Sequence, residues 1–133
     1  MEIRIMTTEV SETVGPLRAR YIDLLMKSIL DIANRNVSDQ DYKEKFEGLG
    51  RMGDNLSLAG WERLKNLREL VEIAIKSGIP GDFIETGVWK GGACILMRGV
   101  LAAYGITDRS VYVADSFKGV PAPDVAKYPG MQR

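Results

Sequence analysis

The chain has 133 residues, 45% of them hydrophobic and 27% charged, which is the composition of one small folded domain and not of a disordered segment. Lys plus Arg is 18 and Asp plus Glu is 18, so no net field draws nucleic acid or an anionic membrane. The absence of histidine excludes an imidazole base or metal ligand within the chain, and a single cysteine, Cys94, excludes an internal disulfide and fits a reducing cytosol.

Residues 1–15 are polar and β-branched with little periodicity, and read as a loose arm or a short edge strand. Nothing there has the apolar length of a signal peptide, and no run in the chain approaches the ~20 apolar residues that span a bilayer. A helix is expected from Pro16, which suits a first helical turn. Leu17, Tyr21, Leu24, Leu25 and Ile29 recur at helical spacing, and Ile22, Met26 and Ile32 widen the stripe. A stripe this wide needs a partner, either the core or another subunit. The polar, glycine-dotted stretch 34–56 is expected to hold a short helix around Asp41 to Phe46, capped by Ser38, and then a loop through Gly48, Gly50 and Gly53. Asp54 and Asn55 read as turn residues.

A second helix is expected from about Leu58 to Ser77, with Leu64, Leu67, Leu70, Val71, Ala74 and Ile75 on its apolar face. Gly78 and Pro80 stop it. Phe83 to Thr86 then reads as a strand, Gly91 to about Tyr104 as a helix, and Val111 to Ala114 as a second strand. Strand, helix, strand makes one βαβ unit with parallel strands. A Pro- and Gly-rich loop follows Asp115.

The chemistry concentrates in FIETGVWKGGACI, residues 83–95, and VYVADSF, residues 111–117. Gly87 permits a tight turn, while Gly91 and Gly92 let a ligand or a neighbouring strand approach the start of the helix, where free N–H groups favour an anion. A dinucleotide fingerprint would place glycine where Glu85 stands, and its acidic residue would come sooner than Asp115 does. A carboxylate at 85 repels a pyrophosphate but accepts hydrogen bonds from a cationic amino-acid tail, and Asp115 can accept both ribose hydroxyls. That combination suits S-adenosylmethionine better than NAD. The plainer readings are a structural cap for Glu85 and a strand-end turn for Asp115. Trp89 reads as a packing or lid residue and Lys90 as a solvated one. Cys94 reads as a small buried helix residue with no cation beside it to activate a thiolate.

The run PGDFIETGVWKGGACILMRGVLAAYGITDRSVYVADSFKGVPAPD closely resembles the macrocin O-methyltransferase family, with GVWKGGA and VADSFKG as its most specific parts. LSLAGWERLKNLRELVE and YIDLLMKSIL resemble the family's preceding helices, so the likeness runs from Tyr21 to Asp124. The resemblance implies an α/β, Rossmann-like class I methyltransferase fold, with N-terminal helices before a βαβ unit. It implies an S-adenosylmethionine-dependent, cytoplasmic enzyme that methylates a sugar hydroxyl of a natural product with the help of a divalent metal, usually magnesium. Glu85, Thr86, Gly87, Val88 and Gly91 would border the methionine part of the cofactor. Asp115 and Ser116 would lie at its ribose and adenine side, and Ser57 and Leu58 would reach back to it.

Family members continue well beyond this length. The fold is therefore expected to be incomplete: a helical arm and loop over 1–56, then the first part of the cofactor domain over 57–133. Further strands, the metal-binding carboxylates, the catalytic base and most of the acceptor pocket are expected in the remaining half. The competing reading is a non-catalytic nucleoside-binding or oligomerisation module, dimerising through the helix of Tyr21 to Ile32 and an open strand edge.

Overall fold

A computed structural model describes residues 6–33, 55–119, 121–122, 124 and 126–127. The expected helix at 41–46, its Ser38 cap and the glycines 48, 50 and 53 lie outside the described residues, as does Asp54.

The first element, α1, spans Met6–Ile29 and carries Pro16 inside it. The expected arm over 1–15 is therefore corrected for residues 6–15, which are helical. An interior proline removes one backbone hydrogen bond and strains one turn, yet the helix continues through it. The inward face also differs from the expected stripe. Ile22, Met26 and Ile29 are buried, whereas Leu17, Tyr21 and Leu24 are 60%, 48% and 58% exposed. The helix ends as the amide of Asp31 bonds the Ser28 carbonyl and the amide of Ile32 bonds that of Lys27. Asp31 takes the left-handed position of this cap, φ 56°, where glycine is usual.

Helix α2 covers Gly60–Lys76 and buries Leu64 and Val71. Gly78, at φ 63°, closes it, with the amide of Ile79 returning to Ala74. Strand β1, Phe83–Thr86, and strand β2, Val111–Ala114, have the expected limits. They pair in parallel with Phe83 opposite Val111 and Thr86 opposite Ala114. At their entrances Asp82 accepts the Ser110 amide at 2.8 Å, and Phe83 donates to the Ser110 carbonyl at 3.0 Å.

Helix α3, Gly92–Ala103, connects the strands and organises the core. Its Leu96, Met97, Val100 and Leu101 are buried, and the first three form one cluster with Ile22, Met26 and Ile29 of α1 and Leu64 and Val71 of α2. Arg18 fastens α1 to the far end of α3. Its Nε donates to the Ala103 carbonyl at 2.9 Å, and its guanidinium lies 4.0 Å from the Tyr104 ring centre.

Side chains alternate across a strand, so β1 turns Phe83 and Glu85 toward α3 and Ile84 and Thr86 away. Ile84 and its cross-strand neighbour Tyr112 are 63% and 55% exposed. Parallel sheets are normally covered on both faces. Among the described residues only the α3 face is covered.

Candidate functional site

The strands β1 and β2 end side by side, and the loops leaving their C-terminal ends carry most of the expected site residues. Gly87 holds φ 77° and donates its amide to the Ala114 carbonyl at 2.9 Å, so the first loop is pinned to the last residue of β2. A Cβ built on Gly87 would meet nothing within 4 Å, which leaves the turn open above its backbone. Val88 buries its side chain and donates its amide to Asp115 Oδ2 at 2.8 Å. The other Asp115 oxygen accepts the Phe117 amide at 2.9 Å and lies 3.5 Å from the Ser116 hydroxyl. One carboxylate thus clasps both loops.

These donors favour the charged form, and they hold the Asp115 carboxyl below its ordinary value, the Phe117 amide most and the Val88 amide next. An ionised carboxylate offers about four lone-pair directions, so Oδ2, with one donor, can accept another hydroxyl. Ser116 faces its own turn, where its hydroxyl accepts the Lys118 amide at 3.3 Å.

At the start of α3 two of the amides expected to be free, those of Gly91 and Gly92, are bonded. Gly91 is the N-cap at φ 80° and gives its amide to the Val88 carbonyl at 2.7 Å. Gly92 gives its amide to the Leu56 carbonyl at 2.9 Å. A Cβ on Gly92 would sit 2.5 Å from the Leu56 oxygen and 2.7 Å from Ser57 Cβ. The room provided by Gly92 is filled by the chain's own segment before α2, not left for an anion. Ser57 is thereby brought to the start of α3, buried, with its hydroxyl accepting the Ala59 amide at 3.1 Å. Asn55 is the turn residue expected of it, buried and donating to the Ser57 carbonyl at 2.7 Å. Leu58 and Thr86 are both exposed, and no side-chain hydrogen bond joins either to the other site residues among the described ones.

Glu85 points into the βα junction, where its Oε2 accepts from Cys94 Sγ at 3.0 Å. Burial first, and the Glu85 carboxylate second, push the Cys94 thiol up to about 12, so it stays protonated as a donor. The sequence reading treated Cys94 as inert and missed this contact. The available signal was positional: a strand-end residue and a residue in the first turn of the following helix meet across a short βα loop.

Trp89, read from the sequence as a packing or lid residue, and Phe117, to which the sequence assigned no role, share an unusual backbone. Both hold left-handed backbones, φ 50° and 54°, and both are exposed beside the strand ends. Such conformations are costly for aromatic residues and concentrate at functional loops. Lys90 places its ammonium 4.7 Å from the Trp89 ring centre. A groove of about 790 Å³ runs along the α3–β2 flank, lined in part by Tyr21, Ile95, Arg98 and Val113. It touches this site only through Cys94, so the strand-end chemistry and not the groove defines the candidate site. Among the described residues no three acidic or cysteine side chains converge as a metal site. No helix among them is long and apolar enough to cross a membrane.

Comparison with known proteins agrees with this architecture. The chain is 46% identical over 111 residues to demethyldecarbamoylnovobiocin O-methyltransferase of Streptomyces niveus, covering 76% of this chain and 42% of that protein. It is 57% identical over 110 residues to mycinamicin III 3''-O-methyltransferase of Micromonospora griseorubida, covering 76% and 43%. The solved structure of the O-methyltransferase NovP superposes with a TM-score of 0.69 at 40% identity, covering 78% of this chain and 44% of that one. The chain therefore spans less than half the length of the curated relatives it matches. A family model for macrocin O-methyltransferase (TylF) matches residues 4–132, and with these relatives it places the chain in that family.

Proposed function

We propose that this chain carries the methyl-donor site of an S-adenosylmethionine-dependent O-methyltransferase acting on a sugar hydroxyl of a natural product. The observation that carries the reading is Asp115. Its ionised carboxylate clasps the Val88 and Phe117 amides where two parallel strands end, beside an open, Cβ-free turn at Gly87. Ligands of open parallel sheets bind at this edge. The family and the relatives named above support methyl transfer to oxygen.

S-adenosylmethionine supplies an electrophilic methyl group on its sulfonium. The chain's own residues bind and orient. Asp115 accepts ribose hydroxyls through its remaining lone pairs, with Ser116 toward the adenine side. Glu85 accepts from the cationic amino-acid tail, while Thr86, Val88 and the turn from Gly87 to Gly91 border the methionine part. Ser57 and Leu58 approach from the segment before α2. Such positioning lowers the barrier by fixing donor and acceptor in line. A divalent metal such as magnesium would lower the pKa of the acceptor hydroxyl. Its ligands, and the catalytic base, would lie outside the described residues, and the setting would be cytoplasmic.

Calorimetric titration with S-adenosylmethionine tests the reading. The wild-type chain binds, and Gly87→Val and Asp115→Ala lose binding. Unchanged binding in both variants, or no binding by the wild type, refutes it. The exposed row of Leu17, Tyr21 and Leu24 on α1 supports a second reading, a homo-oligomer joined through that helix. Sedimentation that shows an oligomer, with calorimetry that shows indifference to the cofactor, would favour a non-catalytic module.

A further inference from the structure

We propose that Cys94 is a positioning residue for the cofactor: its thiol fixes the Glu85 carboxylate so that the carboxylate meets the ammonium of the S-adenosylmethionine amino-acid tail. The inference rests on the cofactor site proposed above and assigns a role to a side chain which that site leaves unused.

The geometry is specific. Glu85 lies on the α3 face of β1, and Cys94 lies in the first turn of α3, buried at 7% exposure. Their contact of 3.0 Å is short for a sulfur donor. The thiol stays protonated across the physiological range, so it donates and never competes as an anion. Among the described residues no other donor reaches the Glu85 carboxylate. A thiol with one proton and one acceptor therefore sets the orientation of that carboxylate. Oε2 is held against the helix, and Oε1 remains for a ligand. A carboxylate free to rotate would pay an ordering cost on binding that this hydrogen bond removes beforehand.

Two measurements test this. The first needs no ligand. Cys94 is the only cysteine, so the S–H stretching band in a Raman spectrum belongs to it alone. The band should lie at the lowered frequency of a hydrogen-bonded thiol and should rise in Glu85→Ala. A band at the unbonded position in the wild type overturns the proposal. The second compares S-adenosylmethionine with 5′-methylthioadenosine, which lacks the amino-acid tail. Cys94→Ala should weaken S-adenosylmethionine about tenfold, the effect of losing one hydrogen bond to a charged group. It should leave methylthioadenosine unchanged, and Cys94→Ser, which keeps a donor, should restore binding. Equal weakening of both ligands marks general structural damage and overturns the proposal. So does a Cys94→Ala variant that binds S-adenosylmethionine normally. A wild type that binds neither ligand refutes the cofactor site itself, and this role with it, while the Raman band still reports whether the contact exists.

Discussion

Replacing Gly92 with alanine tests how the site is assembled. The added Cβ would meet the Leu56 carbonyl oxygen at 2.5 Å, its carbon at 2.7 Å and Ser57 Cβ at 2.7 Å. These are backbone and Cβ atoms that cannot rotate aside. The segment is also held from behind, by the Leu56 amide on the Ile29 carbonyl at 2.7 Å and by Asn55 on the Ser57 carbonyl at 2.7 Å. Overpacking of this kind costs about 1–3 kcal/mol. Loss of the Gly92-to-Leu56 hydrogen bond adds about 1 kcal/mol. The better helix propensity of alanine returns about 1 kcal/mol. The net is a destabilisation of about 2 kcal/mol, which urea denaturation reads as a midpoint lowered by roughly 1 M for a slope typical of small domains. Gly99→Ala is the control. Its Cβ would clash only with Leu25 Cδ2, the far end of a side chain that can rotate, with Tyr21 Oη at an ordinary contact distance of 3.9 Å, so its change should stay within about 1 kcal/mol. A Gly92→Ala variant as stable as Gly99→Ala, or more stable than the wild type, would refute the close packing of residues 56–57 on α3.

Two further expectations concern pH. The Asp115 carboxyl is lowered in the folded chain by the Phe117 and Val88 amides, so its stabilisation is complete above its ordinary value of 3.8 and disappears as pH falls through the lowered folded value. Asp115→Asn should therefore flatten the acid limb of stability in urea melts below about pH 4; an acid limb as steep as the wild type's would contradict the clasp. Cys94 shifts the opposite way. Its folded value of about 12 lies above the ~8.5 of an unfolded cysteine, so only the unfolded chain loses this proton between those values. Stability should fall as pH rises from about 8.5, and Cys94→Ala should lose less over the same range. Parallel alkaline limbs would show that the thiol titrates alike in both states.

The two strands were legible to the residue, because short apolar runs bounded by glycine and aspartate leave little choice of limits. Helix α1 was harder to read. Two adjacent rows of its surface are apolar, and the periodic pattern fits both. Ile22 and Met26 turn inward because α3 lies on that side, which is a tertiary choice that periodicity does not encode. Pro16 misled for a related reason. A proline marks either a first turn or a weak point within a longer helix, and only the chain before it decides. Gly92 shows the same ambiguity at the site. A glycine at a helix start signals close approach, but the sequence does not say whether a ligand or the chain itself approaches.

The site residues were legible by position and illegible by partner. Glu85 and Asp115 stand at strand ends, where a βαβ unit gathers its ligand chemistry. Their partners, Cys94 and Val88, follow only from how the intervening loop closes. Three ties result. Asp115 joins the two loops, Cys94 joins β1 to α3, and Leu56 joins the segment before α2 to the same helix. Each is made by the protein alone, so the loops at the strand ends are placed without a ligand, and under the proposed function binding would have less ordering to accomplish. Two of the three converge on α3, which the core clamps through Leu96, Met97 and Val100. The bare face at Ile84 and Tyr112 contributes nothing to that clamp. The rigidity of the site therefore depends on packing of α3 against α1 and α2 more than on the sheet that gives the site its position.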